Sequence, residues 1–195
     1  MALAGETIEN PVSGERFTFL RTARDTGGQF LEMELAVRPG GEVPIPHLHT
    51  RQEEAFAVLA GTLGCRVGGA ARQTLGQGGA VVVPAGMPHA WWNAGAEELR
   101  VRVTFRPALE SEVFFETICG VARDGQVGAK GAPRFLQLVI LSNVYGTYLE
   151  RPPLPVQQVL FALLRPFARL RGYRARYSRY SGPAAVDTTT RPANA

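Results

Sequence analysis

The chain holds three histidines, and all of them lie between positions 47 and 89. His47 and His49 are separated by one residue, Leu48. On an extended strand, side chains two positions apart leave the same face, so both imidazoles can reach one point while Leu48 turns away. Glu54 then opens an alternating run in which Glu54, Phe56 and Val58 share one face and Ala55, Ala57 and Leu59 the other. A carboxylate at the head of an apolar face is costly to bury ionised unless a cation meets it, so the chemistry suggested here is metal binding. The third histidine, His89, follows a β-branched run, Ala80 to Val83, and a turn containing Pro84 and Gly86.

Two spacings carry a resemblance. Gly41, His47, His49, Glu54 and Gly61 fill the pattern G-x5-HxH-x4-E-x6-G, and Gly78, Pro84, Gly86, His89 and Asn93 fill G-x5-PxG-x2-H-x3-N. The chain thus resembles the small single-domain metal-binding cupins, with every fixed position of both motifs occupied and a short segment, 62 to 77, between them. The resemblance implies an antiparallel jelly-roll β-barrel with His47, His49, Glu54 and His89 on one ion inside it. The bland alternative is a barrel that keeps these side chains without a metal.

Three imidazoles and one carboxylate would leave a six-coordinate ion two open positions for water, dioxygen or a chelating substrate. The ligand set suits Fe(II), Mn(II), Ni(II), Cu(II) or Zn(II). Strand parity puts Met33, Phe56, Val58 and Trp91 in the barrel interior with the ligands, as the walls of an apolar substrate pocket. No His, Lys or Asp beyond the ligands reads as a separate acid or base, which favours chemistry done by metal and dioxygen on an activated, chelating, rather apolar substrate. Oxygenases of that kind are prominent among the cupins this chain resembles. Tyr145 and Tyr148 are candidate proton donors if the later helices cap the mouth. The rival functions are a non-redox isomerase, cyclase or decarboxylase, and a sensor or binding module for a small ligand.

The elements that position these residues alternate plainly. Phe17 to Arg21 reads as a first strand. Phe30 to Val37 has Leu31, Met33, Leu35 and Val37 on one dry face, and Glu98 to Arg106 has Leu99, Val101, Val103 and Phe105. The unbroken apolar run Ala80 to Val83 suggests a central strand. Short strands divided by Gly/Pro turns are what a closed antiparallel barrel needs. After Pro107 the period changes. A helix capped by Ser111 carries Val113, Phe114, Thr117, Ile118 and Val121 and stops near Asp124, and a second runs from Phe135 to Tyr148. A third carries Val156, Val159, Leu160, Leu163, Leu164, Phe167 and Leu170 at helical spacing, with Pro166 inside it.

The expected architecture is therefore mainly β: a barrel over 1–107, then two or three α-helices over 108–180 packed on the barrel or on a dimer partner, and a disordered tail over 181–195. Charge is divided unevenly. Residues 151 to 180 carry seven arginines and no acidic residue, a charge of +7 against −3 for the rest of the chain, so the net +4 arises from the carboxy-terminal part. Nucleic acid is not an expected partner, because the arginines of 100 to 106 have no aromatic platform among them. Contact between the basic third helix and a membrane is the sharper alternative to packing or homodimerisation. With no basic leader and no long apolar run, a cytoplasmic location is expected, and Cys65 and Cys119 read as buried thiols.

Overall fold

A computed structural model describes residues 2–43 and 45–181. Among these residues, eleven strands form two antiparallel sheets. The first sheet contains β1 (Thr7–Asn10), β2 (Glu15–Arg21), β3 (Leu31–Val37), β5 (Glu53–Ala60), β8 (Ala80–Val83) and β10 (Leu99–Arg106), in the order β1-β2-β3-β10-β5-β8. The second contains β4 (His47–His49), β6 (Leu63–Val67), β7 (Gln73–Leu75), β9 (His89–Asn93) and β11 (Thr147–Leu149), in the order β11-β4-β9-β6-β7.

The period-two faces read from sequence become the core between the sheets. Leu31, Met33, Leu35 and Val37 of β3 lie opposite Phe105, Val103, Val101 and Leu99 of β10, and all eight are buried. The polar partners on the other face meet outside, where Arg100 donates to both oxygens of Glu34 at 2.7 and 3.0 Å. Asn93, the last position of the second motif, ties the two sheets: its amide donates to the carbonyls of Val37 and Glu97 while its oxygen accepts from Gly95 N–H.

The carboxy-terminal part is α1 (Ser111–Arg123), α2 (Phe135–Tyr145), α3 (Leu154–Leu170) and the short α4 (Ser178–Ser181). Helix α1 lies against β1, and α2 lies against α3 and β11. The chain after α3 folds back onto α1 and α2, where Thr117 and Tyr145 both donate to the carbonyl of Ala175, and Tyr177 donates to Gln137. Residues 182–195, nearly all of the expected tail, lie outside the described residues.

Four local expectations are corrected. β8 pairs with β5 alone and is an edge strand, with Val82 exposed: an apolar run does not by itself require two covered faces. Glu110, not Ser111, precedes α1, and the Ser111 hydroxyl donates to Ala108 C=O. The second helix stops at Tyr145 because Gly146 takes a left-handed conformation (φ 72°), which glycine adopts without steric cost. Tyr148 therefore lies on a strand, and that strand extends the sheet beside β4. Finally, α3 buries Gln157, Phe161 and Ala168, while most of the expected apolar stripe faces outward.

Candidate metal centre

β4 and β9 are antiparallel neighbours with His47 directly opposite His89, so two imidazoles share one face of the second sheet. His49 follows on the same face of β4. Glu54 comes from the other sheet, on β5 opposite Phe105 and Val83, and reaches across. One ligand atom from each of His47, His49, Glu54 and His89 falls within 4.8 Å of the others. His49, Glu54 and His89 are buried, and His47 is partly open.

The outer nitrogen of each ring is occupied, which fixes the direction of the inner one. Nδ1 of His47 lies 3.1 Å from the carbonyl of Ile45 and Nδ1 of His89 lies 3.3 Å from that of Met87. A carbonyl can only accept, so both Nδ1 atoms carry a proton, and in the neutral rings both Nε2 atoms present lone pairs inward. Nδ1 of His49 meets the hydroxyl of Thr147, on β11, at 3.1 Å. Oxygen partners behind histidines are the arrangement that orients imidazoles toward a metal.

The inner atoms fit an ion. Nε2 of His89 is 2.8 Å from Oε2 of Glu54 but off the line a hydrogen bond requires, and it has no other partner. Nε2 of His49 is 3.1 Å from the same oxygen. Lone pairs facing a carboxylate at such distances repel unless a proton or a cation lies between them. Electrostatics agree. Burial raises the Glu54 carboxyl, but the imidazoles beside it, His89 foremost and then His49, outweigh burial and hold the group well below the ordinary range. Burial lowers His89, but the Glu54 charge prevails and raises it. His47, desolvated and beside two other imidazoles, falls to about 3 and stays neutral.

His47, His49 and Glu54 lie on one wall of a cavity of about 140 Å³, and His89 stands behind that wall, outside the lining. That is room for a compact ligand on the scale of an aromatic ring. Met33 and Trp91 line it, whereas Phe56 and Val58 lie in the core and are absent from its lining. The carboxy-terminal elements complete it: Phe114, Phe115 and Ile118 of α1, Leu138 and Leu141 of α2, and Thr147, Tyr148 and Leu149 of β11. Of the two candidate phenols, Tyr148 lines the cavity and Tyr145 does not, its hydroxyl being spent on Ala175.

One lining group went unread in the sequence. Glu15 is buried in the cavity wall, with a hydroxyl hydrogen bond from Ser13 at 2.7 Å. Burial raises its carboxyl above the ordinary range despite that bond. The same burial, with Glu15 nearby, pushes the Cys119 thiol up to about 12. The signal was parity, since Glu15, Phe17 and Phe19 alternate and all three are buried.

The cupin-domain family profile matches residues 33–105, which span both ligand segments. The probable oxidoreductase virH of Hypocrea virens is 30% identical over 156 residues, 74% of this chain and 70% of that protein. The chain belongs to the cupin family. Solved cupins resemble it more distantly. A predicted oxalate decarboxylase from Thermotoga maritima is 19% identical, with 55% of this chain and 99% of that one covered and a TM-score of 0.47. An RmlC-like cupin from Shewanella frigidimarina is 22% identical, with 58% and 95% covered and a TM-score of 0.47. This cupin therefore joins a His/Glu cluster able to hold a metal ion to an apolar cavity that its own carboxy-terminal elements help to wall.

Proposed function

We propose that this cupin is a mononuclear metal-dependent oxidoreductase of the dioxygenase type, acting on a small, chelating and rather apolar substrate. The observation that carries the reading is the convergence of three imidazoles, oriented by oxygens behind them, and a carboxylate, with His47, His49 and Glu54 of that cluster lining a largely apolar cavity. The similarity to a probable oxidoreductase supports the same class. A divalent ion on His47, His49, Glu54 and His89 would supply Lewis acidity toward substrate oxygens and, if redox-active, electron exchange with dioxygen.

The chain's own residues do the rest. His47 and His89, their Nδ1 atoms held outward by carbonyls, turn Nε2 toward the ion, and Glu54 supplies the negative charge that favours a dication. Met33, Trp91, Phe105 and Phe115 exclude water and receive the apolar part of the substrate. Dioxygenation places both oxygen atoms in the product, so the electrons come from the substrate and no separate reductant enters.

A second reading has its own support. Glu15 gives the cavity a carboxyl outside the ligand set, and an acid or base in that position is what an isomerase, cyclase or decarboxylase requires. The test is oxygen uptake by anaerobically loaded protein, with enediol, flavonol and diketone substrates, in the wild type and in Glu15→Gln. Uptake matched to product, surviving in Glu15→Gln, is the expected result. Turnover without dioxygen that Glu15→Gln abolishes would replace the first reading with the second.

A further inference from the structure

α3 buries one side and shows the other. Gln157, Phe161 and Ala168 face inward, and the Gln157 side chain is saturated by Leu149 N–H and by the carbonyls of Leu149 and Pro152. Outward stand Val156, Val159, Leu160, Leu163, Phe167 and Leu170, with exposures from 40% at Leu160 to 86% at Leu170. Their spacing of three and four residues puts them on one stripe of a helix about 25 Å long. A contiguous apolar stripe on an exposed helix marks a docking surface.

The surrounding charge decides what docks. Residues 151 to 180 hold seven arginines and no aspartate, glutamate or lysine. Arg176 faces Glu110 at 3.7 Å, and Arg179 pairs with Asp124 at 2.6 Å. Arg151, Arg165, Arg169, Arg171 and Arg174 make no ion pair among the described residues. A second copy of the chain would bring the same arginines against this face, with no carboxylate between 151 and 180 to receive them. Residues 182–195 hold a single large aliphatic side chain, Val186, too little to cover six apolar side chains.

An anionic bilayer supplies both an apolar layer and a negative surface. We infer that α3 is a membrane-surface helix, its outer stripe seated between headgroups and acyl chains and the free arginines near it drawn to lipid phosphates. The helix lies on the surface and does not cross, since no helix among the described residues is long and apolar enough to span a membrane. On its inner face Phe161 stacks on Tyr148, with ring centroids 6.0 Å apart and planes 15° from parallel. Tyr148 lines the cavity, so the helix that meets lipid also supports the wall of the site.

The inference is independent of the site's chemistry and is tested on the full chain by vesicle flotation. Vesicles of phosphatidylglycerol with phosphatidylcholine should carry the protein, and phosphatidylcholine alone should carry it at least about tenfold less well, with the difference shrinking in about 0.5 M salt. Leu163→Glu combined with Leu170→Glu should abolish flotation and leave the circular dichroism spectrum unchanged, because both side chains are already exposed. Sedimentation of the lipid-free protein supplies the counter-test. Failure to float with anionic vesicles would overturn the inference. So would a dimer that the same double substitution splits into monomers, an outcome that assigns the stripe to a second copy.

Discussion

The two halves of the molecule use apolar periodicity in opposite ways. In the barrel, each alternating run turns its apolar side toward the other sheet, and nothing large and apolar on β3 or β10 is left outside. In α3 the most regular apolar stripe faces outward, and the buried face includes a glutamine. The difference lies in what a period can say. A strand in a two-sheet barrel has one interior available to it, so an apolar face has one destination. A helix added to the outside of the barrel has two, and hydropathy does not choose between them. Gln157 resolves the matter locally: three backbone groups around β11 satisfy its amide, making the side that carries it the one that packs.

The halves nevertheless meet at the candidate metal centre, through Thr147, and the largest effect outside its four side chains is expected there. Thr147→Val keeps the shape and removes the oxygen behind His49. Metal affinity should fall about 10–100-fold, measured by competition with a chelator. An unchanged affinity would separate the extension from the site and break the connection drawn here.

Acid comes next. His89 is raised by Glu54 against its burial, so below that raised value the metal-free site holds a proton there that a metal must displace, whereas His47, at about 3, has none to give above that pH. Affinity should therefore fall as pH drops through the raised value of His89, by about tenfold per pH unit, with roughly one proton released per ion bound. Binding titrations in buffers of different ionisation enthalpy would count that proton. A smaller effect should follow from Gly146→Ala. The new Cβ would sit 2.6 Å from the Thr50 hydroxyl oxygen, at a φ of 72°. The left-handed conformation alone costs about 1–2 kcal/mol, which should lower the melting temperature by about 2–8 °C. Metal affinity should follow, because Gly146 C=O accepts from both Thr50 N–H and Thr50 Oγ1 at the end of β4.

The legible part of the sequence was the part with a single destination. The ligand segments could be read because a strand's parity and a fixed spacing put His47, His49, Glu54 and His89 in one place, and the structure brings their ligand atoms together. Glu15 was missed because the first strand was begun at Phe17. Carried two residues back, the same parity would have put a carboxyl among buried phenylalanines. β11 was hidden in an apolar run that continues past Gly146 as though the helix did. Only the backbone conformation of that glycine turns the chain into a strand beside β4, bringing Thr147 to His49 and Tyr148 into the cavity wall. The outward stripe of α3 could not be read at all, since its orientation depends on hydrogen bonds to elements distant from it in pattern.

The central claim is that four side chains from two facing sheets hold one ion. It is tested most directly by the metal content, by mass spectrometry, of untagged protein purified anaerobically, with His49→Ala prepared in parallel. We predict close to one divalent transition-metal ion per chain in the wild type and none in a still-folded His49→Ala. Full occupancy in His49→Ala, or a wild type that takes up no ion when one is supplied, would contradict the assignment.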